Sequence, residues 1–386
     1  MSLPPAQPAY ILRGHAAQIH CVSFMRQNMR LVTGDADGWI VIWSLATKRA
    51  VAVWRAHEGT LLGARSWGSD KLITHGKDYK LIVWKFSEED ESGMSVVLPV
   101  DTSPEPRKQP WLLHILMVNT MNFCSFAQCT PEPSPEGTVI DDRLLVAVPN
   151  TKSSETVDIF HLPSCDRIHT VPGNPKIKCG MIMAIAIFTH PETALLTVIV
   201  GYESGHTVLS QLTLSQTWQV LYTSQPHSQP ILSLDVSPLK EFYLTSSADA
   251  VIAKHPIPSS SQDSILSIQN MPLKSVQTKH SGQQGLRMRD DGKIFATAGW
   301  DSRVRVYDAR GVKELAVLKW HKEGCYAVSF ADVIKTETEK EQSKNGALVE
   351  MIGKMTVREE RLRATQMAHW LAVGSKDGKV SLWDIY

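Results

Sequence analysis

The sequence carries almost no net charge, so any binding of nucleic acid would have to come from a local patch. Its 386 residues include 40 Lys and Arg against 39 Asp and Glu, so the formal charge is +1. Proteins that bind nucleic acid through their overall charge are strongly basic. Direct nucleic-acid binding is therefore not predicted for this chain.

The chain also lacks paired cysteines and long apolar runs. Its six Cys contain no CxxC pair and lie at positions 21, 124, 129, 165, 179 and 325. Such scattered Cys indicate buried thiols in a reducing compartment. The longest apolar run, near Met181–Phe188, is too short to span a bilayer, and the Pro-rich N-terminus has no signal-peptide core. We expect a soluble intracellular protein that does not contact a membrane.

What the sequence does contain is a hairpin pattern that returns along its length. The last sixteen residues, LAVGSKDGKVSLWDIY, place an Asp-Gly turn between two apolar runs. In this hairpin an Asp stands six residues before an aromatic residue. The same offset joins five pairs: Asp37 and Trp43, Asp78 and Trp84, Asp249 and His255, Asp301 and Tyr307, and Asp377 and Trp383.

A His precedes each of these hairpins. His15, His57, His227 and His280 lie 21 or 22 residues before their Asp, whereas His321 lies 56 before Asp377 because of an insertion of about 35 residues. An alternating segment such as IHCVSF or ILSLDVS follows each His. Four antiparallel strands in about forty residues are typical of a β-propeller blade.

Two further blades are expected between Trp84 and His227. One ends in VDIFHL, with Phe160 in the Trp position, and the other contains VIVGYESGHTVLSQL, with Ser204 in the Asp position. We therefore predict an all-β chain in which residues 1–386 form one seven-bladed propeller. The predicted blades are 15–56, 57–110, 111–172, 173–226, 227–279, 280–320 and 321–386 plus 9–14.

Three insertions interrupt this pattern. The segment 87–110 is predicted to be a strand followed by a polar linker, and 128–142, with PEPSPEG, to be a loop without regular structure. The segment 336–367 is the longest and most charged. The spacing of its apolar residues suits a partly amphipathic helix, with a solvated loop as the alternative.

The last blade lacks a fourth strand after Trp383. The segment AYILRGH (9–15) parallels AVAVWRAH (50–57), where a fourth strand precedes a His. We predict that Tyr10–Arg13 pairs with Val380–Trp383 and closes the ring, which leaves no exposed edge there.

The chain resembles the WD40 family over nearly its whole length. The motifs that carry the resemblance are Gly14-His15, the Asp turns and the Trp383-Asp384 pair. The resemblance implies a buried tetrad of His, Thr, Asp and Trp in each blade, joined by hydrogen bonds. Two tetrads are complete: His15, Thr33, Asp37 and Trp43, and His57, Thr74, Asp78 and Trp84. Three are partial: His227, Thr245 and Asp249; His280, Thr297 and Asp301; and His321, Asp377 and Trp383.

The three partial tetrads are each expected to lose one hydrogen bond. His255 and Tyr307 replace Trp in blades five and six, and Val373 replaces Thr in blade seven. A His–Asp pair that recurs at one position in five blades is structural, because chemistry needs one site. The sequence contains no HExxH, EF-hand or zinc spacing. No catalytic, cofactor or metal site is predicted, and we interpret the chain as a non-enzymatic binding platform.

One rim of the propeller is the candidate binding surface. Trp300 precedes an Asp and Trp320 precedes a His, in turns that share a rim in this fold. Aromatic side chains beside cations are typical of protein interfaces. The alternative is that each Trp folds down over its neighbouring blade. The candidate partner-binding residues are Trp300, Trp320, Lys77, Lys376 and Arg55.

Both ends of the chain resemble the fungal ASTRA-associated protein 1 family. They also resemble its animal relative, guanine-nucleotide-binding protein subunit β-like protein 1. The segments that carry the resemblance are ILRGHAAQIHCVSF, FATAGWDSRVRVYDAR and LAVGSKDGKVSLWDIY. The resemblance implies a nuclear scaffold subunit of the ASTRA complex, with a cytoplasmic pool in addition to the nuclear one left open. It also implies a role in chromatin remodelling. Partners implied are ASTRA subunits and the co-chaperone assembly that matures phosphatidylinositol-3-kinase-related kinases, with this chain monomeric inside a hetero-complex.

Two other functions fit a WD40 propeller. One is an adaptor in another complex, such as a ubiquitin-ligase substrate receptor. The other is a G-protein β-like subunit, which is disfavoured because only about eight residues precede the first predicted strand and leave no room for a long N-terminal helix. An enzyme is the least favoured reading, because no carboxylate pair or activated nucleophile is visible.

Overall fold

Seven four-stranded antiparallel sheets form a ring, which confirms the predicted seven-bladed β-propeller. The computed structural model describes residues 6–101, 106–119, 123–131, 142–258, 270–334 and 356–385. Within six sheets the strands are hydrogen-bonded in chain order. In the seventh sheet, the first strand of the chain pairs with the last of three strands from the C-terminal part of the chain.

The strands are numbered in chain order. The first, β1 (Tyr10–Arg13), belongs to blade seven. Blade one contains β2 (Ile19–Met25), β3 (Arg30–Asp35), β4 (Trp39–Ser44) and β5 (Arg49–Arg55). Blade two contains β6 (Leu61–Trp67), β7 (Lys71–Gly76), β8 (Lys80–Lys85) and β9 (Trp111–Met117). Blade three contains β10 (Ala127–Cys129), β11 (Leu144–Pro149), β12 (Val157–Leu162) and β13 (Asp166–Val171).

The remaining blades follow the same plan. Blade four contains β14 (Ile182–Thr189), β15 (Leu196–Tyr202), β16 (Thr207–Leu212) and β17 (Trp218–Ser224). Blade five contains β18 (Ile231–Val236), β19 (Phe242–Ser247), β20 (Val251–Pro256) and β21 (Lys274–Gln277). Blade six contains β22 (Gln283–Met288), β23 (Ile294–Gly299), β24 (Arg303–Asp308) and β25 (Lys313–Lys319). Blade seven adds β26 (Cys325–Phe330), β27 (Trp370–Ser375) and β28 (Lys379–Asp384) to β1.

The core lies between the blades. The first strand of each blade faces the central channel, and its residues are a mixture of buried and half-buried ones, as in β2. The second and third strands are almost wholly buried, because neighbouring blades cover both faces. One apolar cluster contains Val32 and Trp54 of blade one together with Ile82 and Trp84 of blade two. Burying apolar surface between blades is the main stabilising contribution.

The N-terminal strand closes the ring as predicted. β1 pairs antiparallel with β28, with Tyr10 opposite Leu382 and Arg13 opposite Lys379. Leu12 is buried in a cluster with Trp43 and Leu382, so the closing strand also contributes to the interface between blades seven and one.

The predicted structure of segment 87–110 is wrong. Its described part contains a short 3-10 helix, Glu89–Gly93, and no strand. The fourth strand of blade two is β9, which pairs with β8. The boundary at 110 was therefore misplaced, because the apolar run of β9 reads equally well as the first strand of a new blade.

The segment 87–110 instead packs against blade one. The Ser95 carbonyl accepts a hydrogen bond from the Val53 amide of β5 at 2.8 Å, and the Val100 amide donates to the Gly14 carbonyl at 3.1 Å. The Glu91 carboxylate pairs with the Arg26 guanidinium, and with that of Arg30 at 2.8 Å. An insertion of blade two thus extends over the junction of blades one and seven.

The other two insertions are only partly described. Gln128 and Cys129 belong to β10, whereas 132–141 lie outside the described residues. Residues 335–355 also lie outside them, and the helix α1 (Val357–Met367) follows. Thr356 caps this helix by accepting from the Glu359 amide, and the Glu359 side chain caps in return. Of the two alternatives left open for 336–367, a helix is therefore present at 357–367.

Ring closure by β1 is testable by truncation. Deleting residues 1–13 exposes the edge of β28 and removes Leu12 from the blade interface, so hydrogen exchange at amides 371–385 should become faster. Amides of blade four, on the far side of the ring, serve as the internal control. Unchanged exchange at 371–385 would contradict closure by this strand.

Candidate functional site

Blade two contains a complete hydrogen-bonded tetrad. His57 Nδ1 lies 2.8 Å from Asp78 Oδ1, and His57 Nε2 lies 2.8 Å from Thr74 Oγ1. The Trp84 indole N–H donates to the same hydroxyl at 2.9 Å. Burial raises the pKa of the Asp78 carboxyl, but the hydrogen bonds from His57 and from the Glu58 amide outweigh it, so the pKa lies below its usual value. The chain of bonds leaves each buried polar group partnered.

In blade one the acid of the tetrad is Asp35 and not Asp37. His15 Nδ1 lies 2.7 Å from Asp35 Oδ2, and Asp35 Oδ1 accepts from the amides of Asp37 and Trp39 at 3.0 Å. Asp35 is fully buried at the end of β3, whereas Asp37 is exposed. The offset of six residues selected the wrong Asp, because the turn contains two and spacing alone does not show which one is buried.

The rest of the blade-one tetrad is as the resemblance implied. His15 Nε2 lies 2.7 Å from Thr33 Oγ1, and the Trp43 indole N–H donates to that oxygen at 2.8 Å.

Blade five keeps the bond that it was expected to lose. His227 lies 3.1 Å from Asp249 and 2.8 Å from Thr245. His255 Nε2 then lies 2.9 Å from Thr245 Oγ1, and its Nδ1 lies 2.9 Å from the Tyr222 hydroxyl. Burial and the nearby His227 hold the pKa of His255 well below its usual value, so the ring is neutral and has one donor and one acceptor nitrogen. His255 therefore replaces the Trp as a hydrogen-bonding group.

Blade seven also keeps its chain of bonds, with a hydroxyl from another strand. His321 Nε2 lies 2.9 Å from Ser381 Oγ, and the Trp383 indole N–H donates to Ser381 at 2.8 Å. Val373 occupies the usual Thr position on β27, and Ser381 lies directly opposite it on β28. The expected loss of a bond is wrong, because the hydroxyl has moved across the strand pair. A Ser two residues before Trp383, on the same face of the strand, was the missed signal.

Blade six uses a different partner for its Asp. Arg305 Nη2 lies 2.6 Å from Asp301 Oδ2, whereas His280 Nδ1 is 3.8 Å away and its side chain is 37% exposed. The Arg305 side chain is itself almost fully buried. The structure therefore does not bring His280 into a tetrad with Thr297 and Asp301.

Blades three and four replace the tetrad with other groups. In blade three the buried Asp158 accepts hydrogen bonds from Asn150 at 2.8 Å and Thr170 at 2.7 Å. In blade four Glu203 accepts from the Met181 amide at 3.2 Å, as Asp78 does from the Glu58 amide at 3.1 Å. Glu203, and not Ser204, thus has the role of the turn Asp.

The inner strands enclose a central cavity of about 890 Å³ that includes two of the predicted rim residues. Trp300 is 48% exposed, and its indole N–H donates to the Gln284 side chain at 3.0 Å. Lys77 Nζ lies 3.6 Å from the ring centroid of Phe123, which is 60% exposed. We call this end of the cavity the channel mouth; it is formed by His20, Lys77, Phe123, Gln284, Trp300 and Tyr326.

The other three rim residues lie outside this cavity. Trp320 is half-buried, with its ring centroid 4.9 Å from that of His321. Lys376 is exposed, and its amide donates to the Gly324 carbonyl at 2.8 Å. The Arg55 guanidinium donates to the carbonyls of Asp37 and Glu58, at 3.0 and 3.3 Å. His20, Phe123 and Tyr326 were missed in the sequence, because only the closed ring brings them to the mouth.

Two properties of the described residues bear on function. In the described ranges no group of three or more His, Cys, Asp or Glu is placed to hold a metal ion. Among the same residues, no helix has the length and apolar character needed to cross a membrane.

The assignment of Asp35 is testable by paired substitutions. Asp35→Ala removes one partner of a fully buried pair and should lower the free energy of unfolding by about 3–5 kcal/mol. Asp37→Ala changes an exposed side chain two residues away and should lower it by no more than about 0.5 kcal/mol. Chemical denaturation of both variants measures the difference. A larger loss for Asp37→Ala would restore the original assignment.

The tetrad of blade seven should make stability depend on pH. Burial raises the pKa of Asp377, but the hydrogen bonds from His321 and the Lys379 amide outweigh it and lower the pKa to about 2. A carboxyl whose pKa is lowered by folding stabilises the folded state when the pH is above its pKa in the unfolded chain, near 4. This contribution is lost as the pH falls through the folded-state pKa of about 2. Asp377→Asn should therefore cost about 2 kcal/mol at pH 5 and progressively less towards pH 2.

Asp37→Asn is the control for this pH series, because its side chain is exposed and His15 pairs with Asp35 instead. The free energy of unfolding, measured from pH 5 to pH 2, checks the prediction. A difference between Asp377→Asn and the unchanged protein that stays constant over this range would contradict it.

Comparison with known proteins gives the family. The family model described as ASTRA-associated protein 1 matches residues 8–383. The ASTRA-associated protein 1 of Verticillium alfalfae is 51% identical over 385 residues, which cover 98% of this chain and 93% of the relative. The protein of that name from Aspergillus niger is 46% identical over 432 residues, covering 99% and 98%. The one from Schizosaccharomyces pombe is 31% identical over 414 residues, covering 98% and 99%. Because the similarity extends over almost the whole propeller, this chain belongs to the ASTRA-associated protein 1 family.

Proposed function

We propose that this protein is a non-catalytic scaffold subunit of the ASTRA complex and acts in the nucleus. In this role it supports chromatin remodelling and, together with co-chaperones, the maturation of phosphatidylinositol-3-kinase-related kinases. The observation that carries the proposal is the family match over residues 8–383. The name of the relatives states an association with ASTRA, and the roles in remodelling and kinase maturation are our extension of it.

The hydrogen bonds of the buried His–Asp pairs favour a scaffold over an enzyme. The His–Asp pairs of blades one, two, five and seven are bonded onward to a hydroxyl. Catalysis needs an acid, a base or a nucleophile that is free to reach a substrate in one pocket. The hydrogen bonds of these side chains connect adjacent strands, which is the role expected in a rigid binding platform.

The channel mouth is the surface that we propose for binding a protein partner. Trp300 and Phe123 expose much of their rings, and Lys77 adds a positive charge beside Phe123. Aromatic side chains supply large contact area with few rotatable bonds, and they dominate the energy of many interfaces. Lys77 and Trp300 lie in short turns between the second and third strands of their blades, so the sheets hold their backbone and lower the entropy cost of binding.

The proposed assembly is a hetero-complex in which this chain is monomeric. ASTRA subunits and the kinase co-chaperone assembly are the proposed partners, without direct contact to nucleic acid or membrane. A formal charge of +1 is consistent with recognition of proteins over nucleic acid.

Affinity purification of the tagged full-length protein from fungal cells, followed by mass spectrometry, tests the proposal. The unchanged protein should recover ASTRA subunits and kinase co-chaperones. Trp300→Ala should weaken recovery of at least one of them by about tenfold or more, as expected for an interface anchor. The matched control is Trp111→Ala, because Trp111 is 76% exposed on the outer strand of blade two, away from the mouth.

The outcomes test membership of the ASTRA complex separately from binding at the channel mouth. Recovery of cullin or G-protein γ subunits without ASTRA subunits would refute the proposed complex. Equal recovery by Trp300→Ala and the unchanged protein would leave the complex in place but remove Trp300 from the interface. Thermal midpoints of both Trp variants verify that each one is folded.

A further inference from the structure

The end of the central cavity opposite the channel mouth has a different chemistry. The inner strands of six blades start at the mouth, and each has a bulge between its first and third residues. Their fifth residues are therefore at equivalent depth, and all six line the cavity. We call this layer the channel ring; it consists of Ser23, Arg65, Ala186, Asp235, Arg287 and Ser329.

Two guanidinium groups of the channel ring, those of Arg65 and Arg287, line the same cavity. Burial, followed by the charge of Arg287, lowers the pKa of Arg65 to about 10, against a smaller opposing effect of Asp235. The Arg287 Nη1 donates to the carbonyl of the preceding residue, Leu286, at 2.8 Å. Two positive charges in a partly buried channel are unfavourable unless an anion is bound between them.

The Asp of the ring is already engaged by the backbone. Asp235 Oδ1 accepts from the Val236 amide at 3.0 Å, and Oδ2 accepts from the Met288 amide at 2.8 Å. In the part of the chain that the structure describes, ion pairs of Arg side chains involve other residues, such as Arg289 with Asp291. Neither ring Arg forms an ion pair with a described carboxylate within 4.0 Å.

A third cation and a weakened acid lie at the same end. Lys240 lines the cavity just beyond β18, and burial lowers its pKa, with Asp235 opposing this effect. Asp332 also lines this end, but burial and the charge of Asp290 raise its pKa, which weakens it as a counter-charge. Among the described residues that line this end of the channel, three cations thus face one backbone-bonded carboxylate and one carboxyl whose raised pKa disfavours ionisation.

We propose that the channel ring binds a small multivalent oxyanion that carries phosphate or carboxylate groups. Guanidinium groups bind both kinds of oxyanion through paired N–H donors, and a nearby ammonium adds a third charge. The cavity of about 890 Å³ is within the range of small-molecule sites. This site is independent of the proposed role in the ASTRA complex, because it is a property of the isolated propeller.

The thermal midpoint of the purified full-length protein tests this site. Inorganic tripolyphosphate and citrate are the probes, each compared with sodium chloride at equal ionic strength. A bound anion stabilises the folded state, so at least one probe should raise the midpoint by about 3 °C near saturation. A shift with tripolyphosphate alone indicates phosphate, and equal shifts indicate that carboxylates also bind. No shift with either probe would overturn the proposal.

Substitutions locate the binding. Arg65→Gln and Arg287→Gln should each abolish the shift, and Arg65→Gln should also raise the midpoint without a probe, because it removes the repulsion. Arg310→Gln is the matched control; it makes the same charge change on an exposed side chain and should keep the full shift. A shift that persists in Arg65→Gln, or that is lost in Arg310→Gln, would contradict binding at the channel ring.

A measurement on the unchanged protein covers the case in which the glutamine variants do not fold. Tripolyphosphate or citrate, whichever raises the midpoint, should slow hydrogen exchange in 61–67 and 283–288, the strands that carry Arg65 and Arg287. Exchange in 166–171, an outer strand, should not change. Equal protection of all three strands would overturn the channel site. Failure of the ASTRA purification would leave these results unaffected.

Discussion

The antiparallel pairing of β1 with β28 holds the two ends of the chain in one sheet. Because the sheets are arranged in a ring, this pairing gives every blade a neighbour on both sides. The second and third strands can then be apolar on both faces, since both faces are covered. If the ring were open, the two terminal blades would each expose one such face to water, at a cost proportional to the apolar area.

The buried hydrogen-bond chains are more tolerant of substitution than their sequence pattern indicates. The geometry requires an acid in the turn, a His beside it, a hydroxyl and a ring N–H. It does not require that each group come from one fixed position. In blade five a His supplies the ring nitrogen, and in blade seven the hydroxyl comes from the strand opposite its usual one. An unpartnered buried group is costly, so a substitution costs less stability when another side chain can reach the same place.

The sequence predicted the fold because its information was repeated. The spacing from Asp to aromatic residue recurs five times and that from His to Asp four times, and alternation marks the strands between them. The errors arose where a single residue had to be chosen without repetition. Asp35 and Asp37 both suit a turn, and only burial distinguishes them. The apolar run of β9 fits either an inner or an outer strand, and only the pairing with β8 decides between them.

The functional surfaces were harder to predict, because they are assembled from several blades. The channel mouth combines Lys77 of blade two with Trp300 of blade six, and no spacing along the chain links these residues. The channel ring is a similar case, since Arg65 and Arg287 are more than two hundred positions apart in the sequence. Equivalent depth in the cavity follows from the shared bulge of the inner strands, which is visible only once the strand pairs are known.

The insertion at 87–110 has a consequence for how the ring opens. It forms hydrogen bonds with Val53 of blade one and with the Gly14 carbonyl. Its Glu91 forms ion pairs with two arginines of blade one. Blade two is thereby fastened across blade one to the segment that follows the closing strand. Separating β1 from β28 does not free the N-terminal segment until these contacts also break. We therefore expect the insertion to raise the barrier to ring opening and to slow unfolding.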